Sequence, residues 1–349
     1  MRCPALKELP DPQPSKTGWP WTEETPQLSD RLPDGSVWPR ITIVTPSYNQ
    51  GGFIEETIRS VLLQGYPNLE YIIIDGGSSD ESVQIIQKYS RFLAFWVSEP
   101  DKGQSQAINK GFTKATGEIY AYLNSDDLYE LRALENLNNA ISELKPRRPF
   151  LIAGRCSNFD EGGFLRTDEP LWPERLADLL TSPGLPQPAT FWSKDLFAEL
   201  EGFDESLNFF FDSEFFLRMG LHGITPVLIS STLARFRDQH LSKTRSIRNV
   251  FFEESIRMIR KYGTSLGLSE KQKDERVRET DKSRRYLQVL LNWKDKGRFA
   301  AILEFFGMVS RYPHLIARRD ILGLARRLLL MKIKDVLEFQ KIFKTPANL

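Results

Sequence analysis

A chain of 349 residues can bury a full core and holds one catalytic-sized domain with an appendage. Its formal net charge of +1 gives no case for nucleic-acid binding, and its two cysteines, Cys3 and Cys156, make neither a disulfide framework nor a metal ligand set. With so few cysteines a reducing cytosol is the expected setting, and because no uninterrupted apolar stretch approaches the ~20 residues that span a bilayer and the polar, proline-rich start does not read as a signal peptide, the chain is not expected to be an integral membrane protein.

Residues 1–39 carry many prolines and Trp19, Trp21 and Trp38 with little periodicity. They read as an extended arm whose tryptophans pack on the body or on a partner. From Arg40 the pattern alternates. "ITIVTP" is a short buried strand, and "FIEETIRSVLLQG" a helix with Ile54, Ile58, Val61 and Leu62 on one face and Gly65 as a stop. "YIIID" is a second strand, and "SDESVQIIQKY" a helix opened by a Ser78-to-Glu81 capping-box spacing. "FLAFWVS", "QSQAINKGFTKA" and "EIYAYLN" continue as strand, helix and strand. Strands separated by helices of this length imply parallel βαβ crossovers.

Beyond these, "PFLIAGRCSNF" reads as a strand, "TFW" as part of another, "SEFFLRMGLHG" as a helix with a glycine stop, and "ITPVLISSTLARFR" as a further strand. After Thr244 the chain reads as helical near 246–263, 280–308 and 315–343, with a polar linker between Gly263 and Arg276. The expected domains are an arm (1–39), a catalytic domain (40–244) and a helical extension (245–349).

Acidic residues recur where apolar runs end: Asp75 after Ile72–Ile74, Asp101 after Phe95–Val97, and Asp126 with Asp127 after "EIYAYLN". In an open parallel sheet, ligands bind beyond the carboxyl ends of the strands, so these carboxylates gather on one rim. They repel one another unless a cation or hydrogen-bond donors stand between them, and a hard cation with oxygen ligands, Mg²⁺ or Mn²⁺, suits them. The plain alternative is that each Asp starts a turn or caps a helix. "PSYNQGG" after the first strand lacks GxGxxG, and GxxxxGK[ST] occurs nowhere, so the dinucleotide and P-loop readings lose their phosphate cradles.

Four ordered segments, "TPSYNQGGFIEETIRSVLLQGYPNLEYIIIDGGSSD", "DKGQSQAINKGF", "GEIYAYLNSDD" and "FFFDSEFFLRM", resemble glycosyltransferase family 2, inverting sugar transferases with the GT-A fold, over roughly 40–244. The resemblance implies an α/β fold with a mostly parallel central sheet, followed here by the helical extension. It implies that Pro46, Ser47, Tyr48 and Asn49 line the nucleotide pocket, that Asp75 takes a hydrogen bond from the base, and that Asp101 and Lys102 continue that pocket. Asp127 then corresponds to the direct metal ligand, and Asp126 lies nearer the ribose and metal. Asn124 stands where a strict DxD has its first Asp and is a weaker candidate. Asp212 matches the catalytic base, and Glu214 sits where many members carry an acid.

Inversion needs a carboxylate that accepts the acceptor hydroxyl's proton across the sugar from the metal, which fits a remote Asp212; a plain N-cap is the alternative. Thr190, Phe191 and Trp192 fall in the resemblance's acceptor region and could stack a sugar, although aromatic strand residues are more often core. His240 reads as a third metal ligand or phosphate contact, or as an exposed surface residue. The implied partners are a nucleoside diphosphate sugar, UDP-linked, and a glycan or lipid-linked acceptor, in exopolysaccharide, O-antigen or other cell-envelope glycan assembly. Basic residues from Arg311 to Lys344 alternate with apolar ones, as in "IARRDILGLARRLLLMKIKDV". That helix either lies on the inner face of an anionic membrane or packs on the body with a solvated charged face; the second is preferred. Two rivals stand beside the transferase. A sugar nucleotidyltransferase would carry a basic glycine-rich first loop, and a catalytically inactive binder of the same fold would not need its acids intact.

Overall fold

The computed structural model describes residues 1–181, 184–238, 248–296 and 298–312. The chain forms two compact units, Met1–Leu179 with Pro183–Ser246, and Leu180–Ser182 with Ile247–Leu349.

In the first unit, strands β1 (Ile41–Ser47), β2 (Leu69–Asp75), β3 (Phe95–Ser98) and β4 (Ile119–Tyr122) alternate with helices α1 (Ile54–Leu62), α2 (Ser82–Lys88) and α3 (Gln104–Lys114). These four strands pair in parallel in the order β3-β2-β1-β4, as their βαβ connections require. β5 (Leu128–Tyr129) and α4 (Ala133–Leu144) follow, then the hairpin β6 (Leu151–Asp160) and β7 (Gly163–Asp168). β8 (Thr190–Ser193), α5 (Lys194–Glu199), α6 (Phe211–Leu221) and β9 (Val227–Arg237) complete the unit. The sheet continues past β4 as β8-β6-β9-β5. There β8 runs antiparallel to β4 and β6, β9 parallel to β6, and β5 antiparallel to β9.

The two faces of the sheet bury different material, because successive strand residues point to opposite sides. On one face Ile119 and Ala121 of β4 and Phe191 of β8 join Ile54, Ile58 and Val61 of α1 and Leu134 and Leu137 of α4 in one cluster. On the other, Tyr120, Tyr122 and Trp192 meet Phe112 of α3, Phe197 of α5 and Phe215 of α6 in a chain of ring contacts. That aromatic layer fixes α6 over the end of β4.

Residues 1–39 belong to the first unit's core: Cys3, Leu9, Trp19 and Trp38 are buried in the α1-side cluster. Arg59 of α1, fully buried, donates to the carbonyls of Pro10, Pro20 and Trp21 and to the hydroxyl of Tyr89, which itself donates to Glu55. A buried guanidinium with so many acceptors is satisfied rather than stranded. Gly65, at φ 64°, passes so close beneath this segment that a Cβ there would stand 2.4 Å from the Pro26 carbonyl oxygen.

The second unit holds α7 (Arg248–Tyr262), α8 (Glu270–Lys296) and α9 (Arg298–Arg311). The polar linker expected up to Arg276 is therefore shorter, since α8 starts at Glu270 with Ser269 and Gln272 hydrogen-bonded across its first turn. The expected helix 315–343, with its basic face, lies outside the described residues. Among the described residues no helix is long and apolar enough to cross a membrane.

Candidate active site

The register of the parallel strands brings the first part of the site together. Ser47, the last residue of β1, pairs with Asp75 at the end of β2, and Asp75 with Ser98 at the end of β3. Asp75 is fully buried and accepts four hydrogen bonds: Oδ2 from the Gly77 and Ser78 amides at 3.1 and 2.9 Å and from Ser98 Oγ at 2.7 Å, and Oδ1 from Ser78 Oγ at 2.6 Å. These donors satisfy the buried carboxylate and shape the turn after β2. Ser78 Oγ also accepts from the Asn49 amide, and Asn49 Oδ1 accepts from the Ser79 amide. The capping box expected from Ser78 to Glu81 is thereby corrected: α2 begins at Ser82, Asp80 Oδ1 accepts the Ser82 amide, and Ser78 is spent on Asp75.

Around that turn, Pro46 and Ser47 lie in β1, and Ser47 Oγ is buried with no hydrogen-bond partner among the described residues. Tyr48 is 62% exposed, and Asn49 takes the left-handed conformation at φ 51°. Asp101 closes over Gly76, where a Cβ would stand 2.7 Å from Asp101 Oδ2, and its Oδ1 accepts the Gly103 amide. Lys102 is exposed, its amide donating to Gln106 Oε1.

The second part grows from β4. Leu123 still pairs with Val44, after which Asn124 to Asp127 turn away. Asp127 is 1% exposed: its Oδ1 accepts the Arg237 amide at 3.0 Å and its Oδ2 the Asn124 side-chain amide at 3.1 Å. Asn124 Oδ1 is taken in turn by Gln104 Nε2 of α3, so Asn124 bridges the turn to α3. Burial, then the negative charge of Asp126, hold the Asp127 carboxyl well above its ordinary range, against the pull of the Arg237 amide, Asn124 and the Arg237 charge. Asp126 is partly exposed, and its backbone carbonyl accepts from Arg237 Nε.

Asp212 reaches this place from α6. It is the second residue of that helix rather than its N-cap, which is Phe210, and it is partly exposed where Phe211, Ser213 and Glu214 are buried. Its Oδ1 accepts the Ser213 amide at 2.6 Å. Phe211 packs on Tyr122 at 5.9 Å between ring centroids. The Tyr122 phenol, buried, is pushed well above its usual value by burial first and then by the charges of both Asp212 and Asp127. One side chain thus feels the acidic turn and the acid on α6 together. Gln187 Nε2 closes this layer on the Tyr122 carbonyl.

The acceptor residues expected from the sequence are corrected by their burial. Thr190 is fully buried with its hydroxyl on the Gln187 carbonyl, and Trp192, 1% exposed, is locked among Phe112, Phe203 and Phe215. Neither offers a free face to a sugar. Glu214, also 1% exposed, is ion-paired with Arg218 at 2.7 Å, and Arg218 binds the Leu200 and Gly202 carbonyls, so this pair ties α6 to the loop after α5. His240 lies outside the described residues.

Among the described residues no group of three or more His, Cys, Asp and Glu side chains is arranged to hold a metal. Asp126 and Asp127 nonetheless form an oxygen donor pair whose mutual repulsion a divalent cation would relieve, and hard cations such as Mg²⁺ take remaining ligands from water and phosphate. The residues sequence reasoning missed are Arg237, Gln104, Tyr122, Ser78 and Ser98. Arg237, Gln104, Tyr122 and Ser98 act from other strands or another helix, and Ser78 was read as a cap rather than as a donor to Asp75.

Comparison with known proteins agrees with this geometry. Residues 42–176 match the sequence model of Glycosyl transferase family 2. An uncharacterized glycosyltransferase of Mycobacterium tuberculosis is 29% identical over 215 residues, covering 61% of this chain and 80% of that protein. TuaG of Bacillus subtilis, whose name assigns it to teichuronic acid biosynthesis, is 37% identical over 100 residues, 28% of this chain and 40% of that protein. Among solved structures, Staphylococcus aureus TarS 1–349 in complex with UDP-GlcNAc superposes with a TM-score of 0.55 at 19% identity, over 77% of this chain and 80% of that one. Residues 42–176 thus form a glycosyl transferase family 2 domain, carried on a GT-A fold.

Proposed function

We propose that this glycosyltransferase moves a sugar from a UDP-linked donor to a hydroxyl of a glycan or lipid-linked acceptor, with inversion at the anomeric carbon. The observation that carries the reading is that Tyr122 of β4 packs on Phe211, the neighbour of Asp212 on α6, and bears the charges of both Asp212 and Asp127, acids from distant parts of the chain. Asp212 accepts the proton of the attacking hydroxyl while that oxygen bonds the anomeric carbon and the bond to the diphosphate breaks. Its place on a helix packed by Phe211, Phe215 and Phe216 keeps the carboxylate oriented without burying it. Exposed Tyr48, with Asp101 over Gly76, meets the base, and Asp75 holds the pocket floor. Asp126 and Asp127 would hold a Mg²⁺ or Mn²⁺, which supplies Lewis-acid stabilisation of the departing diphosphate when bound. UDP as the nucleotide is supported by the TarS complex, and a cell-envelope glycan as acceptor by the name of TuaG.

Asp212→Asn separates chemistry from binding. Calorimetric affinity for UDP is expected to stay within about a factor of two, while sugar transfer falls by roughly 10²–10⁴, the span of a lost general base. Unaltered turnover removes Asp212 from this role.

A further inference from the structure

Arg237 is the last residue of β9, and its contacts converge on the acidic turn. Its amide donates to Asp127 Oδ1 at 3.0 Å and its Nε to the Asp126 carbonyl at 2.9 Å. The far side of the guanidinium pairs with Glu56 of α1 at 2.7 Å. Two rings bracket it: the guanidinium carbon is 4.4 Å from the centroid of Phe159 and 5.2 Å from that of Phe53. Phe159 is also its register partner across β6 and β9, so the bracket is built into the sheet. With side-chain exposures of 15% for Arg237 and 19% for Glu56, the pair is shielded enough for its geometry to be held.

The turn needs such an anchor. Asn124 to Asp127 have left the β4 ladder, and two adjacent carboxylates drive each other apart. Asn124 and Gln104 tie one side of the turn to α3, and Arg237 is what ties the other side to the sheet. Glu56 offsets the guanidinium charge, so Arg237 fixes the position of the acids without taking the place of a cation beside them. We propose that Arg237 is a positioning residue that holds the Asp126–Asp127 turn in the arrangement that captures a divalent cation together with the donor diphosphate. This role rests on the donor reading above.

Lys at this position keeps the charge but cannot reach both the Asp126 carbonyl and Glu56 as a planar fork does. The experiment compares the wild type, Arg237→Gln, Arg237→Lys and Glu56→Gln by Mn²⁺ paramagnetic resonance with MnCl₂ and UDP, and by UDP calorimetry with and without Mn²⁺. Far-UV dichroism melts report folding. Both Arg237 variants are expected to lose about tenfold or more in Mn²⁺-dependent UDP affinity, the span typical of residues that orient metal ligands, and Glu56→Gln to lose only a few-fold. A folded Arg237→Gln with wild-type affinity and Mn²⁺ dependence overturns the role. Should Arg237→Gln not fold, wild-type behaviour of both Arg237→Lys and Glu56→Gln overturns it equally. Full recovery in Arg237→Lys alone would show that charge acts here rather than placement, and so contradicts it too. A wild type that binds no UDP with Mn²⁺ overturns the donor reading itself, whereas normal binding in wild type and variants removes only Arg237.

Discussion

Asp75, Asp101, Asp126 and Asp127 stand at the ends of parallel strands or in the loops after them, and the chain treats each differently. Asp75 is fully buried and saturated by donors from its own turn and from Ser98 of β3; Asp127 is buried, anchored at both oxygens and destabilised as an anion; Asp126 and Asp101 remain partly exposed. Only the second kind of environment leaves charge to be offset by something else, which is the ground for proposing a cation at the Asp126–Asp127 turn. Gly76 shows how closely the pocket is fitted, since a Cβ there would stand 2.7 Å from Asp101 Oδ2. Gly76→Ala is expected to displace the Asp101 carboxylate and weaken UDP binding by about 1 kcal/mol, roughly fivefold, with the melting temperature nearly unchanged. Calorimetry checks it, and wild-type affinity would detach Asp101 from the nucleotide. These acids were legible in the sequence because a carboxylate after an apolar run is out of place in a core strand. Arg237 was not: "ARFR" reads as the end of a strand, and its partners Asp126, Asp127 and Glu56 come from other elements. Thr190 and Trp192 show the reverse, a local pattern that suited a sugar platform but that β8 buries on the face opposite Phe191.

Helices and strands set which of these residues meet. The first four strands and the three helices between them follow from apolar runs and helical spacing, and the parallel order follows from the crossovers. β5, of two residues, is too short to show a period, yet it carries the chain from Asp127 to the edge of the sheet beside β9. In the second unit, Asp281 of α8 accepts from Tyr312 at 2.7 Å, from Arg285 at 3.0 Å and from Arg284 at 2.7 Å. Despite the cost of desolvation, these hydrogen bonds and the Arg285 charge hold its carboxyl down to about 2. A depressed carboxylate adds stability that is whole above the ordinary carboxylate value near 4 and is lost as pH falls toward 2. Asp281→Asn is therefore expected to destabilise the protein by on the order of 1 kcal/mol at pH 6, after solvent screening, with most of the difference gone by pH 2. Denaturant titrations at the two pH values test this, and an equal difference at both would contradict it.

At the scale of the molecule, the 1–39 segment is part of the first unit's core, held through Arg59 and the buried Trp19, Trp21 and Trp38. Tryptophan in a proline-rich stretch signalled packing; the fully buried arginine that receives it sits on α1 and looks in sequence like a solvated helical charge. Composition bounded the class, and the ordered motifs gave the family, because both depend on local residue types. The acceptor and the residues that meet it depend on walls and loops assembled from far apart. On the reading proposed above, the acidic rim binds a nucleoside diphosphate through a divalent cation. Melting the wild type and Asp126→Ala with UDP, GDP, ADP and UDP-sugars, each with and without Mn²⁺, decides this, because a selective ligand raises the melting temperature by mass action. A rise with UDP and a UDP-sugar that requires Mn²⁺ and is lost in Asp126→Ala is the expected result, whereas no rise with any nucleotide, or an equal rise without metal and in Asp126→Ala, would rule out cation-mediated donor binding at this rim.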